Sequence, residues 1–96
     1  MARRVRRERE TTEYLSAARR FIRAAGERVA DADEVELGML LELRHDLDAA
    51  ISQAVNGQRA RGASWAYIAQ AAGTTRQTAQ QRWGALVSSA ADRVVS

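Results

Sequence analysis

The sequence predicts an all-α fold: two long antiparallel helices followed by a helix-turn-helix, four helices in total. Three observations predict it. The chain has no proline and only six glycines, so nothing obstructs long helices. Apolar residues recur at three- and four-residue spacing through most of the chain. Two glycines, Gly62 and Gly73, each precede a Ser or Thr by one or two positions, which is how one helix ends and the next is capped.

Ninety-six residues allow one small domain with a limited core. Apolar residues make up 46% of the chain, enough for a folded protein. Cysteine is absent, which excludes disulfides and thiolate metal sites and fits a reducing cytoplasm. No apolar run approaches the length of a membrane span, and no apolar stretch follows the charged start as it would in a secretory signal.

The net charge is +3, but its distribution says more. All fifteen basic residues are arginine, which reads as the codon bias of a high-GC genome rather than as a device for phosphate recognition. Residues 1–30 carry nine Arg against four Glu, a net of +5, and residues 31–48 carry seven acids against one Arg, a net of −6. Residues 49–96 return to +4, with five Arg against one Asp. An acidic middle separates two basic ends, and basic ends are where a polyanion binds.

Residues 1–9 hold five arginines, including Arg3, Arg4, Arg6 and Arg7. They read either as a basic arm, disordered alone and laid on DNA phosphates or in the minor groove, or as the charged first turns of a helix. Residues 10–61 form the packing and dimerisation region. Its first helix, over residues 10–30, carries Tyr14, Ala17, Ala18, Phe21, Ile22, Ala25 and Val29 on one face, with Thr11 or Thr12 as cap. Tyr14 and Phe21 are expected as core or interface anchors.

Asp31 or Asp33 caps the second helix, and Glu34 and Glu36 suit its positive end. That helix runs to Asn56 or on to Arg61, with Leu37, Leu40, Leu41, Leu47, Ala50, Ile51, Ala54 and Val55 along its apolar stripe. At ~1.5 Å per residue it is a rod of roughly 36 Å. This exceeds what a DNA-binding core needs, and the surplus is expected to pack on the first helix and on a second copy of the chain. His45 is the single histidine, and one histidine among helical carboxylates is a solvated or helix-bridging residue before it is a metal ligand. No catalytic constellation stands out, so no enzymatic role, metal or cofactor is expected.

Residues 62–96 form the helix-turn-helix region. Ser64 caps a short helix with Trp65, Ile68, Ala69 and Ala72 on one face. Gly73 suits the left-handed position at its end. Thr74-Thr75 then offers a new cap, and Ala79, Trp83, Leu86 and Val87 repeat along the next helix. Two short helices joined by a glycine-containing turn are the signature of the motif. Residues Ser64, Trp65, Ile68, Ala69, Gly73, Thr75, Arg76, Gln77, Ala79, Arg82 and Trp83 resemble the helix-turn-helix of small DNA-binding proteins from high-GC bacteria. Thr74 departs from the valine usual there, which implies a looser turn.

The motif the resemblance implies is expected to insert residues 75–88 into the major groove. The chain is read as a sequence-specific, dimeric transcriptional regulator or repressor, cytoplasmic and nucleoid-associated, because one motif alone supplies too little contact for tight binding. On a helical wheel, Gln77, Thr78, Gln81 and Ala85 lie opposite Trp83, with Gly84 at the margin. Gln77, Thr78 and Gln81 are expected to read bases, since glutamine pairs bidentately with adenine and threonine touches the thymine methyl. Ser64, Thr74, Thr75, Arg76 and Arg82 are expected to fix the frame on phosphates. Arg59 and Arg61 read equally as phosphate contacts or as basic residues ending a helix. No acid occurs from residue 49 through 91, whereas a merely solvated face normally mixes signs. Two further readings stay open, an architectural DNA-binding protein with little sequence preference and a protein-docking module.

Overall fold

The computed structural model describes the backbone of residues 2–95 and the side chains of residues 6–85. It is all-helical: α1 Ala2–Ala30, α2 Glu34–Ala60, α3 Trp65–Ala72 and α4 Arg76–Val95. Two long helices are followed by a helix-turn-helix, as expected. The chain divides into two compact units, Met1–Arg44 and His45–Ser96.

In the first unit, α1 begins at Ala2, so residues 2–9 are the opening turns of a helix and not an extended arm. No glycine or proline interrupts this stretch, and arginine and glutamate are good helix formers. Thr12 accordingly does not cap. Its hydroxyl donates to the Glu8 carbonyl one turn earlier, at 2.8 Å. The side chains of Arg3 and Arg4 lie outside the described residues; Arg6 and Arg7 are exposed, and Arg6 pairs with Glu10 at 3.3 Å. An exposed pair of this kind adds little stability.

Residues 31–33 turn the chain into α2. Asp33 is the cap: its carboxylate accepts from the backbone N–H of Val35 at 3.0 Å and of Glu36 at 3.4 Å. Side-chain hydrogen bonding with Glu36, and then these N–H groups, hold the Asp33 carboxyl below the usual carboxylate range. The apolar faces here are uncovered. Tyr14 and Phe21, expected as anchors, are 76% and 77% exposed, and no described residue up to Arg44 is fully buried. Only Ala17, Ala18, Ala25, Val29 and Leu40 are half-buried.

The second unit has a core of Val55, Ile68, Ala69, Ala79 and Trp83, with Ala63 and Trp65 packed against it. The last turns of α2 therefore supply one wall, and α3 and α4 the others. Asn56-Gly57 does not end α2; the helix continues to Ala60. Both glycine stops are Schellman motifs. Gly62 (φ 98) donates to the Arg59 carbonyl while Ala63 donates to Gln58. Gly73 (φ 65) donates to Gln70 while Thr74 donates to Ala69. Positive φ strains any side chain with a Cβ, which is why glycine occupies both places. Ala72 is exposed at the helix end rather than in the core.

Gly84, inside α4, is a different case. It is half-buried, and an added Cβ would meet Gln80 Cγ at 3.5 Å and Trp65 Cζ2 at 3.9 Å, both ordinary contacts. Gly84→Ala is therefore expected to raise stability by about 0.5–1 kcal/mol through helix propensity. Urea denaturation would read this as a higher midpoint; a lower one would mean that Trp65 lies closer to α4 than these distances allow.

Candidate nucleic-acid interface

The site is built on α4, and its first turn is set by Thr75. The Thr75 hydroxyl accepts from the Thr78 N–H at 3.1 Å and donates to the Thr78 hydroxyl at 2.8 Å. The Thr75 carbonyl accepts from Ala79 N–H at 3.0 Å, the first intrahelical bond. Arg76 and Gln77 hold first-turn N–H groups of the kind an α-helix leaves without an internal acceptor, at its positive end. No acidic residue occupies that turn.

Burial divides α4 into two sides. Ala79 has no exposed surface and Trp83 is buried in the core, while Arg76, Gln77, Gln80, Gln81 and Arg82 are exposed. This agrees with the helical wheel for Gln77 and Gln81. Thr78 is only half-buried, and its hydroxyl is joined to the Thr75 cap, so it helps hold the turn. Gly84 and Trp65 approach one another, which takes the margin of the outer face toward α3. Leu86 and Val87, expected on the inner side, have side chains outside the described residues.

α3 is positioned by Ser64, whose hydroxyl accepts from Tyr67 N–H at 3.0 Å. Its residue φ of −79° and ψ of 161° is extended, as an N-cap requires. Ser64 is exposed and Thr74 half-buried, flanking the two ends of α3. Tyr67, 59% exposed, and Gln70 also stand on the open side of α3. Neither was among the expected site residues, although both lie off the Trp65–Ile68–Ala69 face, and that spacing was the available signal.

The Arg59 guanidinium lies 4.7 Å from the centre of the Trp65 ring, and Nη1 donates to the Ala63 carbonyl at 2.8 Å. Its Nε is buried with no hydrogen-bond partner. Arg59 thus clamps the end of α2 to the start of α3, the helix-ending role that its place in the sequence also offered. The reason is its position within the turn closed by Gly62, which brings Ala63 and Trp65 back beside it. Arg61 is exposed instead. Arg82 lies with its guanidinium 5.3 Å from the Trp83 ring centre, exposed to solvent.

This unit carries five arginines against Asp46, Asp48 and Asp92, and its three acids lie outside residues 49–91. Arg59, Arg61, Arg76 and Arg82 lie in a segment, residues 49–91, that contains no acid. His45 is exposed, and among the described residues no group of His, Cys, Asp or Glu is placed to hold a metal ion. Among the described residues no helix is long and apolar enough to cross a membrane. No protein-family model, curated protein or solved structure matches this chain.

Proposed function

We propose that this chain binds double-stranded DNA in a sequence-specific way, with α4 in the major groove, and acts as a dimeric transcriptional regulator at the nucleoid. The observation that carries the reading is the two-sidedness of α4. Ala79 and Trp83 anchor one side in the core, while Gln77 and Gln81 are exposed on the other, in a segment that contains no acid from residue 49 through 91. Two exposed amides one helical turn apart suit bidentate pairing with adenine. Arg61, Arg76 and Arg82 supply positive charge for phosphates, and the capped first turn of α4 offers backbone N–H groups to one more.

One such motif provides too little contact for tight binding. Two copies on a two-fold axis would engage half-sites about 34 Å apart. The test is selection of bound duplexes from a random pool, followed by anisotropy titration of the chosen duplex against a scrambled one across a salt series. A preference for the chosen duplex that survives at high salt is expected. Equal affinity for both, with a steep slope near −0.9 per neutralised phosphate, would favour the architectural reading, which the exposed Arg6 and Arg7 support. No binding to either duplex would remove DNA as the ligand.

A further inference from the structure

We propose that α1 and the front of α2 are completed by a second copy of this chain, in a four-helix bundle that sets the α1 of one copy against the α2 of the other. The starting observation is that the Met1–Arg44 unit has no core of its own among its described residues. On α1, Tyr14, Leu15, Phe21 and Ile22 stand more than half exposed. On α2, Val35, Leu37, Met39 and Leu41 are 46–64% exposed. Of the large apolar residues left open among the described residues, Tyr67 alone lies off these two helices. Helices gain most of their stability from packing an apolar face, so faces this open require a cover.

The width of the faces says how many neighbours they need. At 100° per residue, the α2 positions from Met39 through Leu43, Leu40 and Leu37 to Leu41 span about 200° of the wheel, with Glu36 and Arg44 entering that arc only beyond the two ends of the 37–43 stretch. A helix with one apolar neighbour needs a stripe of about 100°. On α1, the positions from Ala24 through Phe21 and Ile22 to Leu15 span about 180°. Each helix is therefore patterned for two neighbours. One chain offers each of them a single neighbour; two chains offer four helices, and every helix of a four-helix bundle has two.

Charge then selects a second copy over other covers. Residues 1–30 carry a net +5 and residues 31–48 a net −6. Arg19 and Arg20 border the α1 stripe on its two sides, and Glu34 and Asp46 border that of α2. A two-fold axis uses such a complementary pair twice. An anionic lipid surface would attract α1 but repel the adjoining acidic segment. Tyr14 and Phe21 offer on the order of 150–250 Å² each, about half of the roughly 800 Å² per partner in a stable interface, and Leu15, Ile22, Leu37, Met39 and Leu41 are open to supply the rest. The open recess lined by Gly26, Val29, Leu37 and Leu40 adds to it.

This pairing does not rest on DNA binding, and its test uses none. Light scattering on the full chain at about 50 μM is expected to give twice the single-chain mass of 10.6 kDa. Phe21→Glu should return the single-chain mass with unchanged tryptophan emission, because Trp65 and Trp83 both lie in the other unit. Arg19→Glu/Arg20→Glu and Glu34→Arg/Asp46→Arg should each weaken self-association at least tenfold, and an equimolar mixture should restore the doubled mass. Restoration by mixing separates pairing between copies from α1 folding on its own α2. A single-chain mass for the unaltered protein, a mass other than two copies, or charge variants that pair as well alone as when mixed would each overturn the proposal.

Discussion

Trp83→Ala is expected to unfold most of the His45–Ser96 unit at room temperature. Among the described residues of that unit five are buried, and Trp83 is the largest of them. Truncating a buried aromatic residue costs about 3–5 kcal/mol, from lost transfer energy and the cavity left behind. A unit of roughly fifty residues holds only about 3–8 kcal/mol in total. The loss thus consumes most of what is there, and the stacking of Arg82 on the ring goes with it. Denaturation followed by far-UV circular dichroism, with Trp65 emission as a second probe, would show the transition moved to low denaturant. A midpoint equal to that of the unaltered chain would mean that Ile68 and Ala79 hold the motif together without the indole.

Gln81→Ala is expected to leave stability unchanged and to flatten selectivity at one base pair. Gln81 is exposed, and no hydrogen bond to another described residue involves its side chain, so folding loses nothing when it is truncated. On the proposed DNA reading, one bidentate contact is worth about 1–3 kcal/mol of discrimination, roughly 5- to 150-fold. Competition between duplexes differing at a single position would measure it. Arg82→Ala should behave differently, weakening all duplexes alike and lowering the salt slope by about one. Unchanged selectivity in the Gln81 variant would remove that residue from the base-reading set, whatever the affinity.

The two variants also separate what was legible in the residues from what was not. Ser64, Thr75, Gly62 and Gly73 were readable as caps and stops because their conformations are local. A hydroxyl within reach of an N–H three residues on, or a backbone that only glycine adopts freely, needs no distant partner. The exposed placement of Gln77 and Gln81 was readable for the same reason, since helix periodicity alone sets them opposite Ala79 and Trp83. The start of α1 was not, because a run of arginines is compatible with a solvated coil and with a charged helix. Nothing in the spacing of Arg59 distinguished a phosphate contact from a clamp; that difference depended on where Ala63 and Trp65 return after the turn.

The chain's order of helices, the caps of α2, α3 and α4 and the sign of charge on each segment were thus determined by the amino-acid sequence alone, since each depends on residues within a turn or two of one another. Which side chains are covered was decided only in three dimensions. Tyr14, Phe21 and Trp83 sit at equally periodic positions, yet Trp83 is buried and the other two stand open. Periodicity marks a face as apolar; burial requires a second surface at the right distance, and α3 and the end of α2 supply that surface to α4 alone.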